Sequence, residues 1–253
     1  MHILLAPAKT MIRDVTQDKA VATTLPVFQS RADELARQMA DYSPTELAKM
    51  LKVSPAIASE AFADYRNFPI ADTRRPAAEI YNGIVFKHLD FASLDPDSKL
   101  WANSRISICS FLYGLLRPLD LINSYRMEGF LRLPVTDPAT VAESWRALLT
   151  DRLIEAASAD GGLLLNLASN EMKGMFDWKR VESSLRVVTP TFRVGVLGRL
   201  KSITVYAKTC RGAMARYVID KRIKNVGDLG DFTVFGFRLM ETDGDTLHFV
   251  NQL

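Results

Sequence analysis

Apolar residues along this chain recur in two kinds of spacing, which predict strands in some stretches and helices in others. Uninterrupted apolar runs at 3–5 and 163–165 are short and bounded by polar residues or proline, as in strands buried on both faces. Apolar and polar residues alternate over 185–194 and 200–208, and again around a turn at 243–244, which is typical of antiparallel strands. The sequence therefore predicts a sheet that contains both buried and half-exposed strands.

Between these strands, apolar residues spaced three and four apart predict helices. This spacing covers 25–39 and 139–159, and a shorter helix opens the stretch 76–90 before a glycine interrupts it. Residues 12–24 show neither spacing, so we expect a loop there. Because the chain has no internal repeat or low-complexity linker, we expect one compact domain over residues 1–253. Its fold class is α+β (mixed α/β), with a mixed sheet surrounded by helices.

Residues 43–65 carry the signals of two short helices joined by a tight turn. Ser43 can cap the first helix, Pro44 suits its first position, and Glu46 completes a capping box. A break at 52–55 separates this helix from a second apolar stripe. We therefore expect a helical hairpin.

Residues 202–224 combine a predicted strand with a strongly basic helix. Alternation predicts the strand over 202–207, and the spacing becomes helical at Lys208. Gly212 would permit a close backbone approach where this helix is expected to begin. Lys208 and Arg211 would then lie near a helix N-terminus, which favours a bound anion. Two interpretations stay open: contact with phosphate or nucleic acid, or a solvated basic face with internal salt bridges.

Composition narrows the function classes. A formal net charge of +3 over 253 residues excludes a polybasic tail protein, so anion binding must come from the arrangement of charges. No apolar run approaches the length of a membrane span, and the N-terminal run is too short for a signal peptide, so we expect a cytoplasmic protein without a membrane partner.

The cysteines and histidines make no metal site recognisable from spacing. Two cysteines and three histidines are scattered along the chain, and the sequence predicts no metal and no cofactor. Cys109 and Cys210 are expected to be reduced, buried thiols. Lys208 and Arg211 could, however, lower the pKa of Cys210, so peroxide sensing by this thiol is an alternative.

Three stretches place candidate chemistry at strand ends or in loops. Lys9 and Thr10 follow the first buried strand, a position where sheet proteins often carry functional side chains. The stretch 113–128 gathers arginines with aromatic and acidic residues: Tyr113, Arg117, Asp120, Tyr125, Arg126 and Glu128. These arginines could hold a phosphate and stack on a base, or pair with the nearby acids. "NLASNE" ends another strand in Asn166, Ser169, Asn170 and Glu171, as in a binding pocket or a helix cap.

Four of these stretches, taken in order, resemble the YaaA family of peroxide stress proteins from end to end: "ILLAPAKTM", "LYGLLRPLDLINSYRME", "LNLASNE" and "YAKTCRGAMARYVI". The resemblance implies a DNA-binding protein of the oxidative stress response, linked to DNA repair. It also implies a single-domain mixed α/β fold, a positively charged cleft and a helix-hairpin-helix element, which falls on 43–65.

The chain departs from the family pattern in three places. The hairpin turn "KVSPA" lacks the glycines common in that motif, so DNA contact and a purely structural helix pair both stay open. The chain reads "YRMEGF" where relatives tend to read YRLEMG, and Met172 stands where a tyrosine is usual. The last two departures concern details of the cleft.

The first functional hypothesis is a non-enzymatic DNA-binding protein. It would hold phosphates of double-stranded or structured DNA in a basic cleft, with little sequence specificity and a strong dependence on salt. The expected contacts are Lys9, Lys52, Arg117, Arg126, Lys208, Arg211 and Arg216.

The second hypothesis is an enzyme that acts on nucleotides or nucleic acid in the same cleft, for example by cleaving a glycosidic bond. Glu128 and Glu171 would then do acid–base work, with Asn166 and Ser169 beside them. A third hypothesis is a stress-linked scaffold that meets an acidic protein. The oligomeric state stays open, a monomer included.

Overall fold

The computed structural model describes residues 1–12, 21–70, 73–196 and 199–252. Most of the loop predicted over 12–24 lies outside these residues. The strands are β1 (His2–Leu5), β2 (Arg75–Pro76), β3 (Ile106–Ser110), β4 (Gly114–Leu116), β5 (Leu121–Ile122), β6 (Leu163–Asn166), β7 (Arg186–Val196), β8 (Arg199–Lys201), β9 (Arg238–Asp243) and β10 (Thr246–Gln252). The helices are α1 (Gln29–Ala40), α2 (Pro44–Leu51), α3 (Pro55–Arg66), α4 (Ala77–Ile80), α5 (Ile84–Leu89), α6 (Pro96–Arg105), α7 (Val141–Ala159), α8 (Trp178–Ser184) and α9 (Thr204–Lys221).

One mixed sheet organises the molecule, as the sequence predicted. Its strand order is β4-β3-β1-β6-β7-β10-β9, with β8 paired to the end of β7. The five strands from β3 to β10 along this order are parallel, whereas β4, β8 and β9 pair antiparallel at its margins. Strands β2 and β5 form a separate small ladder.

The strands β1 and β3 are the most buried part of the sheet. Every residue of both strands is buried, because helices cover the sheet there. Along the parallel strand β7, buried and partly exposed residues alternate. The sequence predicted antiparallel pairing from this alternation, whereas β7 pairs parallel with both β6 and β10. Trp145 of α7 is fully buried, and its indole N–H donates to the carbonyl oxygen of Phe111 at 2.8 Å. The short apolar runs of the sequence are thus explained by their central position.

The helical hairpin at 43–65 is present as α2 and α3. Ser43 and Glu46 form the predicted capping box, and the side chain of Ser54 caps α3. The turn between the helices passes through Lys52, whose backbone is left-handed at φ 55°. These observations establish two packed helices, and contact of the hairpin with DNA stays a prediction.

The strand predicted over 202–207 is wrong. Helix α9 already begins at Thr204, and only the three-residue β8 pairs antiparallel with β7. Val205 and Tyr206 are both exposed, so the alternation of apolar and polar residues does not correspond to a buried and an exposed face of a sheet. The burial pattern becomes that of a helix at Cys210, and Met214, Val218 and Ile219 are buried. Packing of the whole segment as a helix overrides its local strand propensity.

Gly212 therefore lies inside α9, not at its start. A Cβ added there would overlap the carbonyl oxygen of Val85 and would lie 2.9 Å from the Cβ of His88. The predicted close backbone approach is real, and its partner is α5. It brings α5 and α9 together along one side of the candidate site.

Candidate functional site

A cavity of about 440 Å³ opens where the parallel strands β1 and β6 end. We call it the central cavity. The segments after β1 (residues 6–10) and after β6 (167–172) line it together with α5 and α9. The carboxyl ends of parallel strands share one edge of a sheet, so the two strand-end motifs meet there although about 160 residues separate them.

Part of the cavity lining is apolar, and we call this part the floor. It includes five side chains that are almost fully buried: Phe86, Phe111, Met127, Leu167 and Met172. Met172, which departs from the tyrosine usual in the family, contributes to this surface. The floor is suited to a flat, weakly polar group.

Five cations line the same cavity: Lys9, Lys87, Arg126, Lys208 and Arg211. Two of them share one carboxylate. Glu128 is 4% exposed, and its oxygens lie 2.8 Å from Lys9 Nζ and 2.8 Å from an Arg126 guanidinium nitrogen. The pairing of Arg126 with Glu128, which the sequence left open, is therefore present.

The other three cations have no such partner. Among the residues that the structure describes, no hydrogen bond is made by the side chains of Lys87, Lys208 or Arg211, and no carboxylate oxygen lies within 4.0 Å of their charged groups. Arg211 is partly buried, and loss of hydration lowers the pKa of its guanidinium. An uncompensated charge in that position favours an anionic ligand.

Lys208 and Arg211 do not lie at a helix N-terminus, so free N–H groups do not explain why they would attract an anion. Because α9 begins at Thr204, they lie in its second turn, beyond the free N–H groups of the first. The helix N-terminus predicted near Lys208 and Arg211 is therefore wrong. What brings the two cations to the cavity is the close packing of α9 on α5.

Two of the predicted catalytic residues line the cavity. Ser169 stands at the start of the 3₁₀ helix Asn170–Met175 without capping it through its side chain, and the exposed Glu171 follows. Asn166 is buried instead. Its side-chain amide donates a hydrogen bond to the Thr189 hydroxyl, and its side-chain oxygen accepts one from the backbone N–H of Ala168. Glu128 is not among the lining residues, although it pairs with two of them, Lys9 and Arg126.

Three of the predicted DNA contacts lie outside the lining. Arg117 forms the ion pair with Asp120 at 2.9 Å, and Arg216 pairs with Asp220 at 2.9 Å. Lys52 lies over the ring of Phe130, 4.7 Å from its centre. The structure therefore gathers Lys9, Arg126, Lys208 and Arg211, and does not bring the other three to them.

Sequence reasoning missed Lys87 and the aromatic floor. Lys87 belongs to α5, a six-residue helix after Gly83 that carries no recognisable motif. The sequence signal that could have indicated Lys87 is the helix start at Gly83, because it places Ile84 and Lys87 one turn apart on the same helix. Phe111 directly follows β3, so the rule about carboxyl ends of strands would also have found it.

A buried hydroxyl network supports the cavity wall. The Tyr125 hydroxyl lies 2.7 Å from the Tyr81 hydroxyl and 2.7 Å from Ser110 Oγ. Burial raises the pKa of Tyr125 to about 12, although both hydrogen bonds act in the opposite direction. This phenol stays protonated at neutral pH and fixes the segment that carries Arg126.

The thiols do not match the peroxide-sensing alternative. Cys109 and Cys210 are both buried and unpaired. Burial raises the pKa of Cys210 to about 12, so Lys208 and Arg211 do not lower it as the sequence suggested. At neutral pH this residue is a thiol, which is the less reactive form.

A larger and more open depression, of about 810 Å³, lies at the amino-terminal edge of the sheet beside Met1. Its arginines are already paired: Arg105 lies 3.5 Å from Asp160, and Arg186 lies 2.8 Å from Asp245. It lacks the aromatic floor of the central cavity. We therefore place the candidate site at the carboxyl edge.

Two further observations concern the part of the chain that the structure describes. None of its helices is both long and apolar enough to cross a bilayer. No three histidine, cysteine or acidic side chains within it gather in a group that could hold a metal ion.

The fold and site define a single-domain mixed α/β protein with a cation-lined cavity at the carboxyl edge of its sheet. Residues 1–243 match the family described as peroxide stress protein YaaA, and the chain belongs to that family. A UPF0246 protein of Bacteroides fragilis is 44% identical over 99% of this chain and 97% of its own length. UPF0246 proteins of Bacteroides thetaiotaomicron and Dinoroseobacter shibae are 43% and 35% identical, over 99% and 95% of this chain and 98% and 90% of their own lengths.

Proposed function

We propose that this chain is a cytoplasmic DNA-binding protein of the peroxide stress response, which holds phosphates of double-stranded or structured DNA at the cations that line the central cavity. One observation carries the proposal: Lys87, Lys208 and Arg211 line one cavity without a carboxylate partner among the described residues. The family description supplies the link to peroxide stress. A role in DNA repair follows if the bound DNA is damaged or branched.

Phosphate is the anion that fits this arrangement best. Arginine offers a planar fork of donors for phosphate oxygens, and lysine adds a mobile point charge. Lys9 and Arg126 contribute less, because each already interacts with Glu128. Contacts of this kind neutralise a backbone and release counterions without reading bases.

The test is binding of labelled duplex and four-way-junction DNA over a salt series. The logarithm of the dissociation constant should rise steeply with the logarithm of salt concentration. In Lys208→Ala/Arg211→Ala this slope should fall by about 2, since each lost phosphate contact removes about 0.9.

A matched control removes two cations elsewhere. Lys179→Ala/Arg180→Ala deletes the same charge from α8, which does not line the cavity. Its slope should stay close to that of the wild type. Equal losses in both double variants would contradict the proposal, because only net charge would then matter, and absence of binding at low salt would exclude it.

A second candidate function is an enzyme that acts on nucleotides or nucleic acid in the same cavity. The observation in its favour is that Ser169 and Glu171 line the cavity beside the free cations. DNA or nucleosides recovered after incubation should then show cleavage or a released base. Glu171→Gln should abolish the product and leave binding intact, whereas unchanged DNA and nucleosides would speak against this function.

A further inference from the structure

The central cavity has features that binding to the outside of a duplex does not use. We propose that it takes up one whole nucleotide, with the base against the apolar floor and the phosphate at Arg211 and Lys208. The inference deepens the proposed function and rests on it for the source of the nucleotide, which would be an unstacked position in DNA. A free nucleoside monophosphate offers the same chemistry, and the experiment below separates the two sources.

The floor is the first reason. Phe86 and Phe111 lie with methionine and leucine side chains in a cavity of about 440 Å³, a volume in the range of small-ligand pockets. In a duplex, both faces of each base are covered by stacking, and only the edges of the bases are accessible in the grooves. A floor of this kind is therefore reached only by a base that has left the stack.

Arg211 is the second reason. It is partly buried and has no hydrogen bond or ion pair within the described chain, so its charge is desolvated without compensation. Phosphates along a DNA surface could be held by exposed lysines alone. A partly buried cation in the cavity lining suits a phosphate that binds together with its own base.

Two polar groups in the cavity lining are the third reason. The Asn82 amide and the Ser169 hydroxyl line the cavity, and neither side chain makes a hydrogen bond to another described residue. Nearby, the Thr10 hydroxyl donates to the backbone carbonyl oxygen of Asn82 at 2.8 Å, which fixes that segment. An amide and a hydroxyl together offer donors and acceptors for the edge of a base or for a sugar hydroxyl.

The experiment compares three ligands by calorimetry and by fluorescence titration: dAMP, inorganic phosphate, and duplex DNA with or without one bulged 2-aminopurine nucleotide. We expect dAMP to bind more tightly than phosphate. We expect the bulge to raise duplex affinity about tenfold, which is within the range of one base–aromatic stacking contact.

A bulky substitution in the lining tests nucleotide uptake separately from duplex binding. Ile84 lines the cavity, so Ile84→Trp should fill it without removing a charge. This variant should lose both dAMP binding and the preference for the bulge, while the salt slope of its binding to intact duplex stays that of the wild type, because every cation is retained. Leu148→Trp, at an exposed position of α7, is the control and should behave as the wild type with all three ligands.

The outcomes distinguish the inference from the proposed function. Salt-dependent duplex binding without dAMP binding or a bulge preference would overturn the inference and leave the proposed function standing. Binding of dAMP without any DNA binding would support the nucleotide cavity and overturn DNA as its source. Phosphate that binds as tightly as dAMP, or an Ile84→Trp variant that keeps dAMP binding, would overturn the role of the floor.

Discussion

At the scale of single residues, neighbours decide which cations are available to a ligand. Lys9 and Arg126 look equivalent to Lys208 and Arg211 in the sequence, yet only the first two have Glu128 beside them. The sequence placed Glu128 two positions after Arg126 and so indicated one of these pairs. The contact of Lys9 with Glu128 joins residues 119 positions apart, so no local pattern could have revealed it.

Gly212 carries the first prediction. Alanine is favoured over glycine inside a helix by about 1 kcal/mol, so a helix considered alone would gain stability from Gly212→Ala. Here the added methyl group overlaps the carbonyl oxygen of Val85, and α5 and α9 must separate. We expect the free energy of unfolding to fall by about 1–3 kcal/mol, as for other overpacked sites.

Urea denaturation of the variant measures this effect, and Gly174→Ala is the control. Outside the neighbouring backbone of its own 3₁₀ helix, no atom lies within 4 Å of a Cβ at position 174, so that variant should be at least as stable as the wild type. A Gly212→Ala variant of unchanged or increased stability would mean that α5 does not pack against α9 as described.

At the scale of elements, the sequence was informative where a helix or strand carries its own start and stop signals. The capping box at Ser43 and the glycine pair after α7 both proved to mark helix ends. The error at 202–207 arose because α9 has no side-chain N-cap, while its exposed first turn imitates the alternation of a strand. Only packing further along the helix, from Cys210 onward, decides that segment.

The hairpin of α2 and α3 carries the second prediction. A left-handed backbone costs most residues about 1–2 kcal/mol, and glycine avoids this cost. Lys52→Gly should therefore raise the free energy of unfolding, by roughly 0.5–1 kcal/mol once the added freedom of the unfolded chain is counted. Lys49→Gly, three residues earlier in the regular part of α2, should lower it by about 1 kcal/mol.

Because both variants lose one positive charge, the same pair tests whether the hairpin meets DNA. If Lys52 contacts a phosphate, Lys52→Gly should weaken duplex binding and reduce its salt slope by about 1, whereas Lys49→Gly should not. Equal affinities for the two variants would favour the structural helix pair. A Lys52→Gly variant that is less stable than the wild type would contradict the inference that the left-handed backbone at position 52 costs lysine stability.

At the scale of the whole molecule, the site exists because the topology places the ends of β1 and β6 side by side. The sequence indicated functional residues at both strand ends, and the structure brings both into one cavity. The sequence could not indicate the part played by α5, because the crossing of α5 and α9 depends on a single glycine and on long-range packing. The order of the strands in the sheet likewise depends on contacts between residues that are far apart in the sequence.

The burial that builds this core also predicts how stability depends on pH. Burial raises the pKa of Tyr65, Tyr81, Tyr125 and Cys210 in the folded state, from 10.0 for tyrosine and 9.0 for cysteine. Between pH 9 and 12 the unfolded chain therefore binds fewer protons than the folded one, and the free energy of unfolding falls as pH rises. Below pH 8 these groups should contribute no pH dependence.

Urea denaturation at intervals from pH 7 to 11 checks this expectation, and Tyr81→Phe isolates one phenol. Above pH 10 each such group contributes a slope of about 1.4 kcal/mol per pH unit, so the variant should lose stability more slowly than the wild type. At pH 7 it should be about 1 kcal/mol less stable, since its hydrogen bond to Tyr125 is gone. The two curves should therefore converge as pH rises, and curves that stay parallel would show that the Tyr81 hydroxyl is not buried in the folded protein.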